Sequence, residues 1–303
     1  MDVIGARSYF FSVIPVFRDA KIGMTSRLEY GSWGMRVAGL TLLFATALTI
    51  GAARPQPDWR GLDPQNTLVV ETSKGRIVVE MAPALAPLAV ARVKRLAREG
   101  VYDGLLFHRV IEGFVDQTGN PNNRDGGTSA YPDLPAEFSA RLSEPARARV
   151  ILRRGDAVEG FVGAIPFAGV SAAEQASGGD HRPRVWGAYC AGVAGMGRQA
   201  GVDTANSEIF FMRAPARRLD HDYAVWGRVV HGLDVVRAIA VGEPPAAPDR
   251  MIRVRLAADL PVGERPNVEV LNERGARFAA QVARLKRRLG PAFSVCDVEL
   301  EVR

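Results

Sequence analysis

Between Thr67 and Met81 the chain reads TLVVETSKGRIVVEM, two runs rich in β-branched residues separated by Ser73-Lys74-Gly75. That spacing predicts a β-hairpin over 67–81. Pro83 to Gly100 then carries Leu85, Leu88, Val90, Val93 and Leu96 at near-helical intervals, with Gly100 placed to end a helix. A hairpin followed by one amphipathic helix points to an α+β domain or a helix-capped barrel rather than a doubly wound sheet. Further short strands are predicted at Leu106–Val110, Phe114–Gln117, Ile209–Met212, Ala224–Val230 and Ile252–Leu256, with a short helix around Leu233–Ile239. Many short strands with few helices favour a closed β-barrel.

Two stretches break this pattern. From Leu142 to Trp186 a charged segment gives way to a glycine- and alanine-rich one, GAIPFAGVSAAEQASGGDHRP, which reads as a long loop insertion. After Pro261 the composition shifts again. Asn272–Leu289 has a helical pattern with basic residues near its end, and Phe293–Val302 alternates like a strand, so 261–303 is expected to be a helix-strand extension. No internal repeat is present.

The N-terminus has a different character. Met35-Arg36 precedes Val37–Ala53, a basic start followed by an uncharged apolar run that ends in small residues. This is the layout of a secretory signal peptide, with cleavage expected after Ala53. A retained membrane anchor is the alternative, since the run approaches the roughly 17–25 residues that span a bilayer. Residues 1–34 sit awkwardly upstream, so translation is expected to start at Met35 or Met24. The organisation is therefore 1–53 as N-terminal extension and signal, 54–65 as linker, 66–260 as the main domain with an insertion at 142–186, and 261–303 as the extension.

Composition narrows the chemistry. At 47% hydrophobic and 24% charged, the chain has ample apolar residues for a core and lacks a disordered composition. The net charge of +6 comes almost wholly from arginines scattered along the chain, which read as solvated surface and give no footprint for nucleic acid. The four histidines show no HxxxH or HExxH spacing, so neither a metal nor a cofactor is expected. Cys190 and Cys296 form no CxxC motif; one disulfide and two unpaired thiols are both open. Gly126-Gly127 lacks the GK[ST] continuation of a phosphate loop, and Ser207 lacks the GxSxG surroundings of a hydrolase nucleophile.

Four segments carry a resemblance. YDGLLFHRVIEGFVDQTGN at Tyr102–Asn120 resembles the central signature of cyclophilins, FHRVI followed by GF and then QxG. GVAGMG at Gly192–Gly197, ANSEIFF at Ala205–Phe211 and LDHDYAVWGRVVHGLDVV at Leu219–Val236 are similar to that family's later motifs, in family order. The resemblance extends over Leu68–Leu256. It implies an eight-stranded antiparallel barrel capped by two helices, with a substrate groove on the outer face. It also implies peptidyl-prolyl cis/trans isomerase activity on proline-containing polypeptides.

Residue by residue, Arg109 matches the catalytic arginine, and Gln117 the glutamine that orients it and contacts the substrate backbone. Phe114 and Phe210 match the aromatics of the proline pocket, and Leu219 an apolar wall. Val115 stands where methionine is usual, and His108 matches a histidine whose role is structural. The departures are Glu208 for a second glutamine, Gly197 for an alanine that borders the substrate, Arg218 for a tryptophan and Tyr223 for a histidine. Glu208 would either restrain Arg109 or favour basic substrates.

These residue types suit bond rotation. The planar X-Pro amide has a barrier of roughly 18–20 kcal/mol, and lowering it requires preferential binding of the twisted form rather than a nucleophile. In that form the prolyl nitrogen regains its lone pair, which a permanently charged guanidinium can hydrogen-bond. The reading is thus an exported isomerase, monomeric, periplasmic or secreted, and associated with the inner membrane only if the apolar segment is retained. The rival readings are a cyclophilin-like binding or chaperone module with little catalysis, and a tethered envelope protein.

Overall fold

A computed structural model describes residues 56–142, 148–170 and 184–303, which fall in a single compact unit. The signal segment expected before residue 54 lies outside the described residues. Among those described, no helix is long and apolar enough to cross a membrane.

In chain order, β1 (Trp59–Gly61), β2 (Thr67–Thr72) and β3 (Gly75–Met81) lead into helix α1 (Pro87–Arg98). Then come β4 (Arg109–Ile111), β5 (Val115–Thr118), β6 (Ala140–Arg141), β7 (Ala148–Arg154), β8 (Ala157–Val162), β9 (Ile165–Val170) and β10 (Arg184–Gly187). After β11 (Val193–Met196), β12 (Ile209–Met212) and β13 (Val225–His231), helix α2 (Leu233–Ala238) precedes β14 (Met251–Leu256), β15 (Glu269–Leu271) and α3 (Ala276–Leu289).

The hairpin, four of the five short strands and both early helices arise where the sequence pattern places them; the strand expected at Leu106–Val110 forms only as β4 from Arg109, with Leu106 making a lone bridge. Helix α1 starts four residues later than expected. Proline disfavours helical conformation in the residue before it, and Ala86 is accordingly non-helical, so Pro87 opens the helix. The Glu137 carboxylate accepts the amides of Leu88 and Ala89 at 2.9 and 2.7 Å, satisfying free donors of the first turn.

Eight strands form one antiparallel sheet in the order β14-β2-β3-β13-β11-β12-β5-β4. The sheet curls until its edges meet. Leu106 bridges Arg250, Phe107 donates its amide to Asp249 at 2.9 Å, and Met251 donates to Leu105 at 2.9 Å. This is the expected cyclophilin-like barrel. Its interior is packed by Leu68, Val70, Ile77, Val79, Phe107, Val110, Phe211 and Trp226, joined by the buried face of α1 and by Val236 of α2.

The segment 142–186 corrects the loop expectation. In its described part, β7, β8, β9 and β10 join β6 in a second antiparallel sheet of five strands, order β6-β10-β9-β8-β7. Helix α3 packs on this sheet, with Phe278 edge-to-face on Phe161 at 5.6 Å between ring centres. A second apolar core fills the space between this assembly and the outer face of the barrel, running from Phe161, Phe167 and Phe278 to Tyr189, Val225 and Phe210.

Beyond α3 the expected strand over 293–302 is absent; the chain makes a 3-10 turn at Val295–Asp297 and a lone bridge from Val302 to Val270. Where a linker was expected, β1 pairs with β15. Cys190 and Cys296 form a disulfide, with Cα atoms 4.9 Å apart. That bond ties the entry to β11 to the C-terminal turn.

Candidate active site

Strand register builds the site. Arg109 on β4 lies opposite Gln117 on β5, Gln117 opposite Phe210 on β12, and Phe210 opposite Gly195 on β11. Directly opposed residues share a face, so these side chains stand in one row on the outside of the barrel. The next row, Val110, Asp116, Phe211 and Ala194, points inward. Gly195 has no side chain because the Phe210 ring and the Tyr189 hydroxyl occupy its place.

All the expected site residues line one cavity of about 230 Å³: Arg109, Phe114, Val115, Gln117, Gly197, Glu208, Phe210, Leu219 and Tyr223. Its apolar end is formed by Phe114, Val115, Phe210, Leu219 and Tyr223, with Phe210 stacked on Tyr189 at 5.8 Å and edge-on to Tyr223 at 5.9 Å. Arg198 also lines the cavity, its guanidinium 4.6 Å from the centre of the Tyr223 ring. Arg218 sits likewise over Phe114 at 4.4 Å. Arg218 stands where the resemblance places a tryptophan, whereas Arg198 carries no sequence signal, since stacking on an aromatic depends on the folded path of the chain.

The polar end is a network. Gln117 Oε1 accepts from Arg109 Nη1 at 2.9 Å, and Glu243 forms a 2.7 Å ion pair with Arg109 Nε. The Gln117 amide donates to Asp125 at 3.0 Å and to Glu208. Glu208 also accepts the Gly126 amide at 2.9 Å. It therefore does not pair with Arg109 directly but acts on it through Gln117. Burial pushes the Glu208 carboxyl up to about 7 against the pull of these hydrogen bonds. Asp125 and Glu243 escaped the sequence reading because they come from loops outside the recognisable motifs.

His108 points behind this network. It is buried, and burial lowers its pKa more than the nearby carboxylate of Asp125 raises it. Its Nε2 lies 3.5 Å from Asp125 and 3.7 Å from Glu208. These three residues form the one cluster among the described residues with the side-chain types and spacing to hold a metal ion.

Residues 67–256 match the family model described as "Cyclophilin type peptidyl-prolyl cis-trans isomerase/CLD". The chain belongs to that family. This cyclophilin is 32% identical over 229 residues to a probable peptidyl-prolyl cis-trans isomerase of Brucella suis, covering 70% of its own length and 92% of that protein. It is 29% identical over 174 residues to the peptidyl-prolyl cis-trans isomerase ppi1 of Schizosaccharomyces pombe, covering 57% of this chain and 83% of that one. Among solved structures it resembles the cyclophilin AquaCyp293 of Hirschia baltica, with a TM-score of 0.74 and 31% identity, covering 81% of this cyclophilin and 92% of that chain. As a cyclophilin it is an enzyme, a peptidyl-prolyl cis/trans isomerase.

Proposed function

We propose that the chain accelerates X-Pro rotation in exported or unfolded polypeptides by an arginine-assisted twisted-amide transition state. The observation that carries this is the register row that sets Arg109, Gln117 and Phe210 around one cavity. Phe114, Phe210 and Leu219 hold the pyrrolidine ring while the preceding residue swings. Gln117 and Glu243 fix two of the three guanidinium nitrogens of Arg109, and Nη2 has no hydrogen-bond partner among the described residues. That free donor suits the lone pair that appears on the prolyl nitrogen as the amide twists.

The test is proline isomerisation on a short peptide. Arg109→Ala is expected to lower kcat/KM by roughly 10²–10³-fold, the loss typical of removing one preorganised donor. Wild-type kcat/KM in that variant would end the arginine mechanism, and a wild type no faster than the uncatalysed reaction would favour the binding-module reading.

The same proposal places the mature protein in the periplasm or outside the cell. The disulfide supports an oxidising compartment, and the apolar run from Val37 supports export. Mass spectrometry of the mature N-terminus is expected to begin after Ala53; a peptide from residues 1–34 in the mature protein would contradict it.

A further inference from the structure

We propose that His108, Asp125 and Glu208 bind one divalent cation of the zinc class directly behind the Arg109–Gln117 pair. Three observations meet at this point. His108 is 5% exposed, and neither ring nitrogen meets a hydrogen-bond partner at good geometry. A buried polar group left in that state is uncommon and calls for a missing partner. Its Nε2 faces two carboxylates, at 3.5 and 3.7 Å. Ligands about 2.1 Å from a tetrahedral metal ion stand about 3.4 Å from one another, so both separations are those of ligands already spaced around an ion.

The three ligand atoms lie within 4.8 Å of one another, and Asp125 is exposed, so rotation of its side chain closes the set. A cavity of about 290 Å³ bordered by His108, Asp125, Arg124 and Glu243 supplies a path from solvent. One imidazole with two carboxylates suits a borderline transition metal, whereas magnesium and calcium prefer oxygen alone. Glu208 is the decisive member. The glutamine usual at its position would leave one carboxylate in the set. The ligands come from three separate stretches of chain, so no local spacing betrays them.

The cation has a consequence for the site. Asp125 and Glu208 are also the acceptors of the Gln117 amide, and Gln117 in turn holds Arg109. An ion shared between the two carboxylates competes with Gln117 for their oxygens and loosens the support of Arg109. Zinc is therefore expected to slow isomerisation. This second effect rests on the isomerase reading; binding itself does not.

The experiment titrates the purified chain with ZnCl2 against a chromophoric chelator. One zinc ion per chain is expected, weakened by at least about ten-fold in Asp125→Asn and in Glu208→Gln, with MgCl2 at the same concentration failing to displace it. Asp125 is exposed, so its variant keeps the test valid if the buried Glu208 variant fails to fold. Absence of zinc binding, or wild-type affinity in both carboxylate variants, would overturn the site. In the isomerase assay zinc should slow the wild type several-fold and Asp125→Asn much less. Equal rates with and without bound zinc would refute the coupling to Arg109 while the chelator titration reports on the site independently.

Discussion

Gly197 and Glu208 depart from the cyclophilin pattern together, and their contact supplies the reason. A Cβ at 197 would fall 2.7 and 2.8 Å from Glu208 Cγ and Cδ, and closer still to its carboxylate. The glycine leaves the space into which the Glu208 side chain turns to reach Gln117 and the Gly126 amide. Gly197→Ala is therefore expected to destabilise the protein by about 1–3 kcal/mol through overpacking, read from urea unfolding. Adding Glu208→Ala should remove most of that cost. A double-mutant cycle with no coupling between the two positions would show that the crowding is relieved elsewhere. At this scale the sequence was most informative where motif and register coincide. Arg109, Gln117 and Phe210 are separated by 8 and 93 positions, yet each is paired to the next across the sheet. Asp125, Arg198 and Glu243 reach the site from loops, where nothing local dictates which way a side chain will face.

Elements follow the same division between local and long-range causes. The 67–81 hairpin and the strand Ile209–Met212 form where the β-branched and aromatic runs lie, because each run can bury one face and pair at once. The second sheet was hidden by its glycines. Gly169 reads as loop, but a Cβ there would meet the Arg184 carbonyl at 2.5 Å and Val185 Cγ1 at 2.8 Å; Gly160 and Gly187 are similarly crowded. Glycine at these positions serves close approach of backbones rather than a turn. The alternating tail failed as a strand for another reason. Ser294 and Asp297 form a capping box that turns the chain, and Cys296 is bonded to Cys190. Because the second sheet and the cavity beside Phe210 share one apolar core, damage to the sheet should reach that cavity. Phe161→Ala removes a fully buried ring and its contact with Phe278, and should cost about 3–5 kcal/mol in chemical unfolding. Wild-type stability in this variant would mean that the sheet contributes little to the core.

For the molecule as a whole, the sheet closure and the disulfide act on different states. Pairing of the barrel edges near Leu106 and Arg250 belongs to the folded chain, whereas the bond between Cys190 and Cys296 restricts the unfolded one. The bridge spans 106 residues, and for a loop of that order chain entropy gives up to about 4.7 kcal/mol. The double variant Cys190→Ala/Cys296→Ala should lose stability on that scale in urea. A loss below about 1 kcal/mol would show that the tail is held by packing alone. Neither cysteine could be assigned a partner from sequence, because proximity across such a span is decided only by the fold. The same separation has a meaning in time. At roughly 5–20 residues per second, Cys190 is synthesised on the order of 5–20 s before its partner. Throughout that interval it is a lone thiol beside Tyr189, whose ring backs Phe210 in the pocket. Any nascent partner that captured it then would leave the C-terminal turn without its covalent tie to the entry of β11, so the order of synthesis makes this cysteine the point at which the chain depends most on its redox surroundings.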